Sequence, residues 1–235
     1  MLIRTSYVWS VGFIVTIALF PFAIAGFLIG LPFGLSGNFV HAIGSFWAGI
    51  IVSLSGVKVD IKGIENIPPP PFILMSNHKG AFDIPVLQAK LPIQYRWIAR
   101  KGLFTIPVIG WAMRLAGYIP IDRGNSKSAY RSIEEGAGRI KNGVSVLIFP
   151  EGGRNETEEL LPFKRGGVLL AEKSGVPIVP ISIRGTEKIM PMHKYSISGG
   201  PVKVRIGQPI ETKDKDGARL TQEVKAAIEK GLGSI

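Results

Sequence analysis

A histidine and an aspartate, His78 and Asp83, lie five residues apart in a short polar segment that follows the apolar run at 72–76. An imidazole can take a proton from a hydroxyl at neutral pH, and a nearby carboxylate can fix its tautomer and stabilise the imidazolium that forms. On one α-helix a separation of five would turn the two side chains about 140° apart, so we expect His78 in the loop and Asp83 at the start of the next helix. From this segment alone, Asp83 could equally be an N-cap and His78 an ordinary loop residue.

A second polar segment, at 149–155, also follows an apolar run, at 144–148. Its adjacent glycines, Gly152 and Gly153, let backbone N–H groups approach an anion closely, and Arg154 offers a planar guanidinium that suits phosphate. A Gly-Gly-Arg sequence is also common in ordinary turns, so this segment alone leaves both interpretations open.

Together the two segments resemble motifs of the glycerolipid acyltransferases: residues 77–83 resemble the NHxxxxD motif, and FPEGGRN at 149–155 resembles FPEGxRS. YIPIDR at 118–123 and VPIVPI at 176–181 are similar to the second and fourth motifs of that family. The four occur in the family's order over about 72–184, and the likeness is greatest to the bacterial 1-acyl-glycerol-3-phosphate acyltransferases of the PlsC type. Two positions depart from the pattern, since Gly153 stands where threonine is common and Asn155 where serine is common.

The resemblance implies a membrane-bound O-acyltransferase that moves a fatty acyl group from acyl-CoA or acyl carrier protein to the free sn-2 hydroxyl of lysophosphatidate, giving phosphatidate. It implies roles for eight residues: general base for His78, orientation of that base for Asp83, binding of the acceptor's phosphate for Lys101, Arg123 and Arg154, and an acceptor loop for Glu151, Gly152 and Gly153. The three cations could instead be solvated charges or contacts to lipid headgroups, and Glu151 could belong to an internal salt bridge.

Other functions fit the same residues. The acceptor could be another lysolipid or glycerol 3-phosphate, and a catalytically silent membrane adaptor could keep the fold and bind anionic lipid.

The sequence has no cysteine and no GxSxG pattern, which favours direct transfer without a covalent acyl-enzyme, although Ser76 is a hydroxyl close to His78 in the sequence. The residues do not separate the two acyl donors, and they predict no particular oligomeric state.

The composition limits the partners. The chain carries 28 Lys and Arg against 17 Asp and Glu, a formal net charge of +11, and 46% of its residues are hydrophobic. This combination indicates an anionic membrane surface. Nucleic acid is not expected, because the sequence lacks helix-turn-helix or zinc-finger spacing. With three histidines, no cysteine and no HExxH pattern, we predict no metal site and no cofactor.

The amino-terminal region predicts a membrane anchor, because no Asp, Glu, Lys or Arg occurs between Arg4 and Lys58. Residues 7–31 and 39–57 are long enough for two apolar helices joined by the uncharged turn at 32–38. Positive charge at both outer ends predicts a hairpin that returns to the cytoplasmic side of the inner membrane. We expect a shallow re-entrant hairpin, in line with the family resemblance. The alternatives are a hairpin that crosses the bilayer fully, a cleaved signal peptide and a buried core hairpin of a soluble protein.

From residue 58 onward, short apolar runs alternate with helical patterns, which predicts an α/β domain with a mostly parallel central sheet and flanking helices. We therefore divide the chain into an anchoring hairpin at 1–57 and a catalytic domain at 58–235. The predicted strands are 57–62, 72–76, 95–99, 117–121, 144–149, 178–183 and 202–206, and the predicted helices are 83–90, 107–115, 126–141, 166–174 and 213–230. Open α/β sheets bind ligands at strand ends, so His78, Arg123 and Glu151 are expected to converge. Residues 106–113 could line an acyl-chain groove or form a core helix.

Overall fold

The computed structural model describes residues 2–122, 124–155 and 157–235. Its helices are α1 Leu2–Gly30, α2 Ser36–Leu54, α3 Asp83–Lys90, α4 Ile109–Leu115, α5 Ser126–Lys141, α6 Arg165–Ser174, α7 Thr186–Ile189 and α8 Gly217–Gly233. Its strands are β1 Val57–Lys62, β2 Ile73–Ser76, β3 Arg96–Arg100, β4 Ile119–Ile121, β5 Val146–Ile148, β6 Ile178–Arg184 and β7 Gly200–Ile206. Short 3-10 helices occupy Leu31–Phe33, Ile64–Asn66 and Lys101–Thr105.

The described strands form one sheet in the order β1-β7-β6-β2-β5-β3-β4. All neighbouring strands are parallel except β6 and β7, so the predicted α/β class is confirmed as a mixed sheet. The connection from β6 to β7 carries only the four-residue helix α7. A parallel crossover usually contains a full α-helix, which this connection lacks, and β7 runs antiparallel beside β6.

The position of β2 decides where the functional segments meet. This strand lies between β6 and β5 and is parallel to both. Its residues are buried on both faces: Leu74 packs in one hydrophobic cluster, while Ile73 and Met75 pack in the other. Because parallel strands end at the same edge, the loops that follow β2, β5 and β6 come together. Those loops carry His78, the 149–155 segment and Thr186.

The two amino-terminal helices are confirmed as long, apolar elements, and both are long and apolar enough to cross a membrane. Only 11% and 28% of their most hydrophobic windows are buried inside the protein, so most of their apolar side chains point outward. The exposed set includes Phe13, Ile14, Phe22 and Phe46. A core hairpin of a soluble protein would bury these side chains, so the exposure favours contact with lipid.

A buried polar cluster fastens α2 to the rest of the molecule. The Gln88 amide on α3 donates to Ser45 Oγ at 2.9 Å and to the His41 carbonyl at 3.3 Å, both on α2. Its oxygen accepts from Trp97 Nε1 at 2.5 Å and from the Tyr118 hydroxyl at 3.3 Å. Burial raises the pKa of the Tyr118 phenol, so that hydroxyl remains a donor. Gln88 therefore joins the hairpin to α3, β3 and the start of β4.

Gln88→Leu is expected to destabilise the protein, because it removes the acceptor of two donors, Trp97 Nε1 and the Tyr118 hydroxyl. Each buried donor left unpaired costs about 1–3 kcal/mol, so the thermal unfolding midpoint in detergent should fall by several degrees. Gln222→Leu is the matched control, since Gln222 is exposed on α8, away from the hairpin. Equal shifts in the two variants would show that the cluster does not stabilise the fold.

Candidate active site

The His78–Asp83 pair has the geometry of a base and the group that orients it. His78 lies in the loop after β2, and Asp83 is the first residue of α3, as predicted. Nδ1 of His78 lies 2.6 Å from Asp83 Oδ2, which also accepts the backbone N–H groups of Lys79 at 2.7 Å and Gly80 at 3.0 Å. The helix is capped by Phe82 without a side-chain hydrogen bond, so Asp83 does not serve as the N-cap.

The contacts of Asp83 determine the tautomer of the imidazole. Oδ2 already accepts two backbone N–H groups, so we assign the proton between this oxygen and the ring to Nδ1 of His78. The neutral ring then has its lone pair on Nε2. The Asp83 side chain is fully buried, whereas the His78 side chain is 14% exposed and lines a cavity. A hydroxyl in that cavity would meet the unprotonated nitrogen.

The plane of the imidazole is held by an aromatic stack. The His78 ring lies against Phe149, with ring centroids 4.0 Å apart and an angle of 9° between the planes. Phe149 contacts Trp97 in turn, at 5.6 Å between centroids. Sequence reasoning missed this function of Phe149, and the only signal was an aromatic residue at the end of an apolar run.

Glu151 connects the two functional loops. Its Oε1 accepts the backbone N–H of His78 at 2.8 Å, and its Oε2 accepts that of Leu161 at 2.9 Å. The residue is 3% exposed, and within the described ranges no salt bridge includes it. Of the alternatives the sequence allowed, these contacts support loop shaping, and they favour neither the internal salt bridge nor direct contact with the acceptor.

Two further contacts join the loops. The backbone N–H of Asn155 donates to the His78 carbonyl at 2.8 Å, and its side-chain oxygen accepts the Thr157 backbone N–H at 3.0 Å. The Lys79 ammonium donates to the Thr157 carbonyl. Asn155, which departs from the family pattern, therefore stabilises the turn in which it lies.

The adjacent glycines, Gly152 and Gly153, differ in whether a residue with a side chain could take their place. Gly152 has φ +77°, a conformation that residues with a side chain rarely adopt, and a Cβ there would lie 3.0 Å from Lys164 Cγ. Gly153 faces the cavity, and a Cβ there would meet nothing within 4 Å. The first side-chain atom of the threonine common at this position in the family would therefore meet no clash.

Asn77 joins the first motif to β6, the strand that begins within the fourth motif. Its side-chain amide donates to the Ile183 carbonyl at 2.9 Å and accepts the Ile183 N–H at 2.8 Å, continuing the pairing of β2 with β6. The strand predicted at 178–183 is confirmed as the buried strand β6, Ile178–Arg184.

A cavity of about 660 Å³ lies beside the imidazole. His78, Gly153 and Arg154 contribute to its lining, and the rest of its wall is mainly apolar. The two amino-terminal helices supply Thr16, Phe20, Ala23, Val40, Ile43 and Trp47. Ile106, Ile109 and Met113 line another side, so the 106–113 stretch contributes one wall of this cavity.

The predicted cations are not equally placed. Arg154 is exposed and lines the cavity together with His78. Lys101 lies in the 3-10 helix after β3, and its exposed ammonium is 3.5 Å from Asp122 Oδ2. Lys101 does not line the cavity, although its neighbour Arg100 does. Arg123 lies outside the described residues.

Over the described ranges, no group of three or more His, Cys, Asp or Glu side chains could hold a metal ion.

The comparisons with known proteins agree with this architecture. Residues 58–184, more than half of the chain, match the family model described as Acyltransferase, and the chain belongs to the acyltransferase family. It is 41% identical over 176 residues to a chloroplastic 1-acyl-sn-glycerol-3-phosphate acyltransferase of Brassica napus, covering 74% of this chain and 51% of that protein. It is 37% identical over 219 residues to the chloroplastic 1-acyl-sn-glycerol-3-phosphate acyltransferase LPAT1 of Arabidopsis thaliana, covering 90% of this chain and 60% of that protein.

The chain thus spans about half to three fifths of the length of these two relatives. Among solved structures, it resembles that of the 1-acyl-sn-glycerophosphate acyltransferase PlsC from Thermotoga maritima. The TM-score is 0.88 at 25% identity, and the match covers 99% of this chain and 95% of the other. The similarity therefore includes the amino-terminal helices, which the family model does not cover.

Proposed function

We propose that this protein transfers a fatty acyl group from an acyl thioester to the free sn-2 hydroxyl of lysophosphatidate, giving phosphatidate. One observation carries the proposal: a single cavity is lined by the His78 imidazole, the Arg154 guanidinium and the apolar side chains of α1, α2 and α4. A base, an anion-binding group and a space for a hydrocarbon chain are what this reaction requires together. The names of the relatives point to the same acceptor.

In the proposed step, His78 Nε2 takes the proton of the acceptor hydroxyl as its oxygen attacks the thioester carbonyl. The C–O bond forms, the C–S bond breaks, and the leaving thiolate receives the proton from the imidazolium. Asp83 keeps Nδ1 protonated and stabilises the positive ring during the step. Acyl-CoA or acyl carrier protein would supply the thioester, and no resident cofactor takes part.

Direct transfer is supported by the surroundings of Ser76. This hydroxyl is fully buried and donates to the Asn77 carbonyl at 3.0 Å. It is not among the groups that line the cavity. The acyl group therefore passes from the thioester to the acceptor without an intermediate on this serine.

The hairpin is proposed to anchor the protein on the cytoplasmic side of the inner membrane, with residues 58–235 carrying the chemistry. Both outer ends of the hairpin lie against the α/β part of the molecule. Thr5 Oγ1 accepts the Ile197 N–H at 2.9 Å, Trp9 Nε1 donates to the Tyr195 carbonyl at 2.9 Å, and α2 leads into β1 at Val57. A hairpin that enters the membrane from one side must have both of its ends on that side, as these contacts provide.

The reaction is tested with purified, detergent-solubilised protein and labelled palmitoyl-CoA or palmitoyl carrier protein. Lysophosphatidate, glycerol 3-phosphate and a neutral lysolipid serve as parallel acceptors. Phosphatidate formed only from lysophosphatidate is the expected result. Transfer to another acceptor would keep the chemistry and change the substrate, whereas no transfer from either donor would favour a silent lipid-binding protein.

Arg154→Ala is expected to raise KM for lysophosphatidate about tenfold and to change kcat little. A guanidinium contact to phosphate is a charge-assisted hydrogen bond, and the exposure of Arg154 places its effect at the low end for such contacts. The measurement is initial rate against acceptor concentration. Arg131→Ala, an exposed arginine on α5 outside the cavity lining, is the control. If only the KM of the acyl donor rose, Arg154 would bind the donor instead.

A further inference from the structure

Thr186 is a buried polar residue that the roles assigned so far do not include. It is the first residue of α7, directly after β6, and it is fully buried. Its hydroxyl donates to Asp83 Oδ1, the carboxylate oxygen that does not face His78. Thr186 lies two residues beyond the part of the chain that matches the family model.

The backbone around Thr186 also touches the functional loop. A Cβ on Gly80 would lie 2.8 Å from both the carbonyl carbon and the carbonyl oxygen of Thr186, a distance that side chains do not tolerate. The loop that carries His78 can reach this position only because residue 80 is glycine. The start of α7 therefore fixes the location of the loop as well as one oxygen of Asp83.

From this arrangement we infer that Thr186 is a positioning residue for the His78–Asp83 pair. Three N–H groups hold Oδ2 from the side of the loop, and the Thr186 hydroxyl holds Oδ1 from the side of β6. Without the hydroxyl, the carboxylate can turn about its bond to Cβ and carry the imidazole with it. The inference rests on the proposed function, in which the direction of Nε2 limits the rate.

Two substitutions separate this role from simple packing. Thr186→Val keeps the shape and loses the hydroxyl, whereas Thr186→Ser keeps the hydroxyl and loses a methyl group. If the hydroxyl positions Asp83, the serine variant is the more active of the two. If the residue only fills space, the valine variant is the more active, because the loss of a buried methyl leaves a void.

The kinetic experiment measures kcat and both KM values for these variants with the acceptor that the wild type uses. We expect Thr186→Val to lower kcat about tenfold, with both KM values within about twofold of the wild type. Thr186→Ser should stay within about threefold of the wild-type kcat. Thr221→Val is the matched control, because the Thr221 hydroxyl donates to the Gly217 carbonyl within α8, away from the cavity. Equal kcat in the valine and serine variants, or a higher value for valine, would overturn the inference.

A double substitution tests whether Thr186 acts through Asp83. Adding Thr186→Val to Asp83→Ala should lower kcat no further, because the carboxylate that the hydroxyl holds is gone. A second tenfold loss in the double variant would show that Thr186 acts independently of Asp83, which contradicts the inference.

A spectroscopic measurement makes the result independent of the reaction. The chain has three histidines, so selective ¹⁵N labelling gives few imidazole signals, and His78→Ala identifies the one from His78. We expect the Nδ1–H resonance of His78 to shift in Thr186→Val and to stay in Thr186→Ser. An unchanged resonance in the valine variant would overturn the inference, whether or not the wild type transfers an acyl group. A wild type that transferred no acyl group would by itself overturn only the proposed function.

If Thr186→Val does not fold, the comparison moves to Thr186→Ser and Thr186→Ala. Both lack the methyl group, and only serine retains the hydroxyl. Higher activity and an unshifted Nδ1–H resonance in the serine variant support the inference, and equal loss in both variants contradicts it.

Discussion

His78→Ala should lower kcat by a factor of about 10² or more while the protein stays folded and bound to the membrane. The substitution removes the only described histidine that lines the cavity and, with it, the atom proposed to take the proton from the acceptor. The backbone N–H of residue 78 keeps its hydrogen bond to Glu151, so the loop retains its main contact. Binding of both substrates should change little, because the imidazole acts in the transition state.

The measurement is acyl transfer at saturating donor and acceptor, with the melting temperature followed in the same detergent. His193→Ala is the matched control, since His193 is exposed in the segment after α7. Full activity of His78→Ala would exclude the imidazole as the base. A parallel fall in kcat and melting temperature would instead mean that the ring stabilises the fold through its stack on Phe149.

Glu151→Gln should lower kcat by a factor of the order of 10², although the side chain does not face the cavity. The carboxylate accepts two backbone N–H groups, one from each loop. A glutamine has one oxygen to accept with, and its NH₂ group would face the second N–H, so one loop must move. A displacement of about 1 Å between a base and its substrate is enough for a loss of this size.

Glu159→Gln is the control for this variant, because Glu159 lies in the same loop with its side chain exposed. Rates at varied acceptor concentration distinguish the two roles considered for Glu151. A loss confined to kcat supports the structural connection between the loops. A rise confined to KM for lysophosphatidate would instead show that the carboxylate or its loop contacts the acceptor.

Local sequence patterns were sufficient for most of the fold. The strand β1 and the helices α3 and α5 begin and end at the predicted residues, since apolar spacing and flanking polar residues define such elements. The largest shift is in α1, which begins at Leu2 rather than at residue 7, and the largest in the α/β part is in α8, which begins at Gly217 rather than at residue 213. The Asp216 side chain accepts the Arg219 N–H at 2.8 Å and caps the helix there, whereas the charged residues before it had looked helical.

The positions of candidate site residues were predictable wherever a polar residue followed an apolar strand. That rule found His78, Asp83 and Arg154, and it applies equally to Thr186 after β6, where it was not used. The partners of these residues were not predictable, because they depend on which strands become neighbours. Only the placement of β2 between β5 and β6 brings Glu151 and Thr186 to the same loop.

The shared cavity has a practical consequence for work on this protein. A fragment beginning at Val57 would lack both apolar helices, and it would retain the His78–Asp83 pair. It would also remove one side of the cavity, expose Trp97 and Tyr118 to water, and leave Gln88 without Ser45 and Arg96 without Asn38. For this chain, detergent or lipid is thus part of preparing the site itself.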